Sequence, residues 1–142
     1  MPTVEKEIAF NAVSKDYAED MIRLFGLEGI RKRHPQSLSE GQKRRVSIAA
    51  VAAGKPEVLL LDEPTVGQDY KGLCELVKIL DILHDKCGNT MITVTHDMRC
   101  AEALCDRAVF IGEGKAASKP YTITSLQKTE NRRGGRICPP RL

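Results

Sequence analysis

The 142-residue chain has no Trp, and aromatic residues make up only 4% of it. Single-stranded nucleic acid is held largely by bases stacking on aromatic faces, so that kind of platform is excluded. Long apolar runs are missing as well: no stretch approaches the roughly 18–20 residues that cross a bilayer. The first residues, MPTVEKEIAFNAV, have no basic start followed by an apolar run, which argues against a secretory leader. The five cysteines, Cys74, Cys87, Cys100, Cys105 and Cys138, form no C-x-x-C pair. Their odd number and scattered positions favour reduced thiols over a disulfide framework or a zinc site. Absent, finally, is any G-x-x-x-x-G-K-S/T loop, whose backbone and lysine cradle nucleotide phosphates. GLEGIRKRH and GEGKAAS both fail its spacing.

What remains is ordinary for a globular chain, with 42% hydrophobic and 29% charged residues. The net charge of +3 is unevenly placed. Lys128, Arg132, Arg133, Arg136 and Arg141, against Glu130 alone, concentrate positive charge after Gln127 and leave the body near neutral. A near-neutral body argues against a nucleic-acid face, so no nucleic-acid partner is expected. The basic stretch 128–142 is expected to be a disordered, solvated end.

Periodicity predicts alternating helices and strands. Ser14 is placed to cap a helix running to Phe25, with Ala18, Met21, Ile22 and Phe25 on one face and Gly26 as its stop. GLEGIRKRHP reads as a loop with short helical content. A second helix spans Ser39 to Ala53, closed by Gly54 and Pro56. Val58 to Leu61 is a short continuous apolar run, the pattern of a parallel strand buried on both faces. Lys71 to Cys87 is helical through Leu73, Leu76, Val77, Leu80 and Leu83, with Gly88 after it. Thr90–Thr95 reads as the next strand, Asp97–Cys105 as a short helix, and Arg107–Gly112 as a third strand before a turn at GEGK. The order predicts an α/β layered fold with a parallel sheet.

Two stretches carry candidate chemistry. Asp62 and Glu63 stand where the apolar strand meets its loop, and ligands bind at the carboxyl ends of parallel strands. Magnesium prefers one or two carboxylates together with water and phosphate, and a neighbouring glutamate could polarise an attacking water. A solvated acidic strand end is the plain alternative. His96 ends the neighbouring strand, so the same sheet edge would hold Asp62, Glu63 and His96, while Asp97 most simply caps the next helix. In LSEGQ, Ser39 is a good N-cap and Gly41 lets a ligand approach the backbone; a helix start with free N–H groups is an anion site. Lys43, Arg44 and Arg45 would add positive field. A plainly capped helix is the competing view.

Taken in order, LSEGQ, VLLLDEPT, GQD and VTHD resemble the signature motif, Walker B strand, D-loop and histidine switch of the ATP-binding-cassette (ABC) ATPases. The resemblance covers Pro2 to Lys115, and PTVEKEIAF is similar to the segment after the glutamine loop in cobalt-type and energy-coupling-factor importers. Glu40 stands where the second signature glycine is usual, and Gln68 where the D-loop usually has leucine. The resemblance implies a P-loop NTPase fold in part: a helical subdomain (1–55), the C-terminal half of the parallel-sheet core (56–127) and the basic tail (128–142). It implies Asp62 as the Mg²⁺ holder, Glu63 as catalytic base and His96 as γ-phosphate contact. Ser39, Gly41 and Gln42 would bind ATP held by an opposite subunit, and Asp69 would lie at that interface.

On this resemblance the partners are a transmembrane transporter subunit and a second cassette arranged head-to-tail, and the chain would sit at the cytoplasmic face of the membrane. With no phosphate loop in the sequence, the chain is expected to be a cassette's C-terminal portion, hydrolysing ATP poorly or not at all in isolation. The alternative is a non-catalytic module that donates its signature face to a complete cassette or docks a membrane subunit. A soluble cassette ATPase of translation is disfavoured, because VGQD stands where Asn-His-Leu-Asp is usual, and the coiled-coil heptads of DNA-maintenance cassettes are absent.

Overall fold

A computed structural model describes residues 2–116 and the backbone of the strand Tyr121–Thr122. Its first element is a helix that the periodicity did not single out, α1 (Val4–Phe10). Thr3 caps it, its hydroxyl accepting from the Lys6 N–H, and Val4 and Ile8 lie fully buried one helical turn apart. Helix α2 (Lys15–Leu24) starts where expected, with the Ser14 hydroxyl accepting from the Tyr17 N–H at 3.1 Å. Single 3₁₀ turns at Glu28–Ile30 and Pro35–Ser37 supply the short helical content of the following loop.

Helix α3 (Glu40–Ala52) opens on a reciprocal cap. The Ser39 hydroxyl accepts from the Gln42 N–H, and the Gln42 amide oxygen accepts from the Ser39 N–H. Strand β1 (Val58–Asp62) then leads through helix α4 (Tyr70–Cys87) to strand β2 (Thr90–Val94). Gly88 ends α4 at φ +61°, a left-handed conformation that costs glycine nothing. The two strands pair in parallel from Val58 opposite Thr90 to Asp62 opposite Val94. Helix α5 (Met98–Leu104) follows, capped by Asp97.

One apolar core joins the helices to the sheet. Val4, Ile8, Met21, Ile22 and Phe25 pack with Ala49, Ala52 and Ala53 of α3, and the same cluster continues through Leu59, Leu61, Leu76, Leu80 and Leu83. On the far side of α4, Leu73 and Val77 meet Cys100 of α5. Arg31 links the first two helices from the loop, donating to Glu5 at 2.8 Å and to both carboxylate oxygens of Glu19.

Three expectations need correction. Strand β1 is buried on one face only: Leu59 and Leu61 point into the core, whereas Val58 is 50% and Leu60 70% exposed. Helices cover only that one side of the sheet, and Ile92 and Val94 of β2 extend the open apolar face. The single strand expected at 107–112 is instead two short pieces, β3 (Arg107–Ala108) and β4 (Ile111–Gly112), and neither joins the parallel sheet. β4 pairs antiparallel with β5 (Lys115–Ala116) across the GEGK turn, and β3 with β6 (Tyr121–Thr122); among the described residues no further parallel strand lies beside β2 to extend the ladder. Among the cysteines, Cys87, Cys100 and Cys105 stand outside any disulfide, as expected, but Cys74 is disulfide-bonded. The expected disorder of 128–142 lies outside the described residues.

Helix α4 carries the packing, so Leu80→Ala, at a fully buried position, is expected to lower unfolding free energy by about 2–5 kcal/mol in urea denaturation. Ile82→Ala, on the exposed side of the same helix, is expected to change it by less than about 1 kcal/mol.

Candidate nucleotide site

The parallel register decides which side chains meet. Because Asp62 lies opposite Val94, the residues just beyond each strand, Glu63 and Thr95–His96, emerge side by side. The Glu63 N–H donates to the Val94 carbonyl at 2.8 Å and extends the ladder by one bond. Glu63 sits at φ +44°, a left-handed conformation costly for a residue with a Cβ and doubly restricted by the proline after it. Its side chain accounts for the constraint. Oε1 accepts from the His96 N–H at 3.2 Å and lies 2.7 Å from His96 Nδ1, and Oε2 accepts from the Thr95 hydroxyl at 3.2 Å.

Charge follows that geometry. The His96 hydrogen bond holds the Glu63 carboxyl below its ordinary range, and Glu63 in turn raises the His96 imidazole above its own. With Nδ1 occupied by Glu63, the Nε2 edge of a ring that is 81% exposed is left to face outward. Asp62 is exposed at the strand end with its carboxylate in no ion pair among the described residues. Its carbonyl accepts from Arg44 of α3 at 3.1 Å.

The start of α3 forms a second concavity of about 360 Å³. Ser39, Gly41 and Gln42 line it together with Gln68, Asp69 and Gly72 at the start of α4. Asp69 caps α4, its carboxylate accepting from the Gly72 N–H at 2.7 Å. Glu63 and His96 border a different hollow of about 870 Å³, walled by β2 and the segment from Met98 to Ile111. Of the residues singled out from sequence, then, Asp62, Glu63 and His96 gather at the sheet edge, and Ser39, Gly41, Gln42 and Asp69 gather elsewhere. The basic run does not stand free as positive field. Lys43 pairs with Glu40 and Arg45 with Glu75, while Arg44 holds the Asp62 carbonyl.

Three contacts at the site are not encoded by sequence spacing. Thr95, just beyond the end of β2, donates to Glu63 and accepts from the Asp97 N–H at 3.0 Å. Arg44 joins α3 to the end of β1. The Gln68 amide sits between the starts of α3 and α4.

The comparisons with known proteins bear on the family and the fold. The ABC transporter family model matches residues 2–66. An energy-coupling factor transporter ATP-binding protein of Methanospirillum hungatei is 36% identical over 149 residues, covering 99% of this chain and 37% of its own length. The chain belongs to the ABC transporter ATPase family. Among solved structures, cbiO1 of Clostridium perfringens, part of the ABC transporter complex cbiONQ, superposes with a TM-score of 0.70 at 29% identity. That match covers 94% of this chain and 57% of that one. An ATP-binding cassette solved as a dimer in a post-hydrolysis state, bound to ADP and Pi, gives 0.71 at 26% identity, with coverages of 85% and 55%. The fold is therefore part of the ABC ATPase form of the P-loop NTPase fold. The chain spans about half the length of the curated relatives it matches. Among the described residues no helix is long and apolar enough to cross a membrane.

The Glu63–His96 contact makes this ABC ATPase edge sensitive to pH. Glu63 contributes stability above its ordinary 4.5, lost as pH falls through its depressed value; His96 contributes below its ordinary 6.5, lost as pH rises through its raised value. Both contributions are fully present between 4.5 and 6.5. An NMR titration of His96 Cε1–H is expected to give a midpoint above 6.5 that falls back toward it in Glu63→Gln. An unchanged midpoint would mean that the two side chains do not interact in solution.

Proposed function

We propose that the chain supplies one half of an ATP-driven nucleotide clamp in a membrane importer of the energy-coupling-factor kind, for a vitamin or a metal ion. The observation that carries this reading is the Glu63–His96 contact at the ends of two parallel strands, beside the exposed carboxylate of Asp62. Glu63 is ionised well below neutral pH and fixed by three hydrogen bonds, so it can accept a proton from a water placed against a phosphate. The depressed pKa weakens it as a base, which suits orienting and polarising water more than full deprotonation. His96 holds Glu63 through Nδ1 and presents its other nitrogen to the phosphate.

Magnesium would neutralise phosphate charge in this site. No cluster of three or more His, Cys, Asp or Glu side chains is arranged to hold a metal among the described residues. A single exposed aspartate fits an ion that takes one or two carboxylates and leaves its remaining positions to water and phosphate. Asp62 would hold it.

Ser39, Gly41, Gln42 and Asp69 face a separate concavity and belong, in this reading, to a nucleotide carried by a second cassette packed head-to-tail. A phosphate-cradling half would cover the open apolar face at Val58, Leu60, Ile92 and Val94. Residues 1–55 would form the helical subdomain that docks a transmembrane subunit, 56–127 the ATPase portion and 128–142 a basic tail. The chain would then work at the cytoplasmic face of the membrane.

Joined to a phosphate-cradling half that carries the glycine-lysine loop but no strand-end glutamate of its own, the chain is expected to support MgATP hydrolysis that falls about 10²–10⁴-fold in Glu63→Gln. Phosphate release assays measure it. Hydrolysis unaffected by that substitution would overturn the catalytic reading in favour of a non-catalytic interaction module, for which the exposed apolar face is the supporting observation.

A further inference from the structure

Gln68 occupies a slot between two glycines from different elements. A Cβ on Gly41, in the first turn of α3, would come within 3.0 Å of Gln68 Nε2 and 3.2 Å of Oε1. A Cβ on Gly72, in the first turn of α4, would overlap Gln68 Oε1 and approach the Asp69 carboxylate at 3.0 Å. A side chain at either glycine would require the end of Gln68 to move aside. Gln68 Nε2 is buried with no hydrogen-bond partner among the described residues, so packing holds the group in place, not a polar network. The backbone delivers it: Gly67 at φ +77° and the Gln68 N–H bond to the Thr65 carbonyl at 3.2 Å turn the chain toward α3. One residue later, Asp69 caps α4.

We propose that Gln68 is a positioning residue that wedges the Asp69-capped start of α4 against the Ser39-capped start of α3, so that the two turns shift together. A displacement of Asp69 then carries through the packed Gln68 side chain to Gly41 and the α3 cap. The Arg45–Glu75 ion pair, 2.6 Å long and partly exposed, spans the same two helices farther along, where it limits their separation without fixing their first turns. The functional meaning rests on the clamp proposed above. In that setting a change at the Asp69 interface reaches the Ser39–Gly41 turn within one chain, before any second cassette responds.

The test uses the full 142-residue chain without nucleotide, so its outcome is independent of whether the chain binds ATP. Amide hydrogen exchange is followed at Gln42, Lys43 and Arg44 in α3 and at Gly72 and Leu73 in α4. Asp69→Ala removes the α4 cap and is expected to speed exchange at least threefold at both groups. In a Gln68→Ala background, Asp69→Ala is expected to affect α4 alone, and Gln68→Met, which refills the slot without an amide, is expected to restore transmission to α3. A merely local stabilising role would change the α4 rates in every background and leave α3 unmoved. Transmission that survives Gln68→Ala, or that Gln68→Met fails to restore, overturns the proposal. If Gln68→Ala does not fold, nuclear Overhauser contacts from the wild-type Gln68 side-chain amide to the Gly41 and Gly72 α-protons decide it: their presence supports the wedge and their absence overturns it.

Discussion

The parallel pairing of β1 with β2 is the constraint on which the site depends. Register in a parallel ladder is all-or-none for the residues beyond its end. With Asp62 opposite Val94, Glu63 can reach the Thr95 hydroxyl, the His96 amide and the His96 ring together. A slip by one residue would turn Leu59 and Leu61 out of the core and aim Glu63 away from β2. Burial of alternate leucines against α4 therefore fixes the position of a carboxylate that contributes nothing to the core. The strain at Glu63 is tolerated because four hydrogen bonds, one from its backbone and three at its side chain, hold it from β2 and the residues after it.

The same economy governs the other end of the molecule. Reciprocal capping by Ser39 and Gln42 satisfies the first N–H groups of α3, while Asp69 does so for α4. The two capped starts face a shared concavity through Gln68 and two glycines. Ion pairs with Glu40 and Glu75 offset the charge of Lys43 and Arg45, and Arg44 is turned to the Asp62 carbonyl, so the backbone dipole and position of this turn carry much of whatever attraction it has for an anion. This concavity is separate from the one beside Glu63 and His96, so the candidate residues of one short sequence fall into two sets.

Much of the fold was legible because caps and periodicity agree. Ser14, Ser39, Asp97 and Gly88 each mark a boundary within a residue or two of the observed one. Helix α1 was missed because its single buried pair, Val4 and Ile8, is too short a pattern to stand out. Arg107–Gly112 has the β-branched and aromatic residues of a strand, but a strand also needs a neighbour with open backbone groups, and its two short pieces pair with different partners. At Val58–Leu61, continuous hydrophobicity signalled a surface to be covered, and the helices cover only half of it. For the site, residue identity and order revealed Asp62, Glu63 and His96. The Glu63 backbone strain, the Thr95 bond and the Arg44 contact depend on tertiary geometry that no spacing encodes.

In the function proposed above, these 142 residues hold a base, a metal carboxylate and a signature turn that act only when joined to a phosphate cradle from elsewhere. Isothermal titration of MgATP into the chain by itself tests this most directly. Affinity no tighter than about 1 mM and no turnover are expected. Low-micromolar binding accompanied by phosphate release would contradict it.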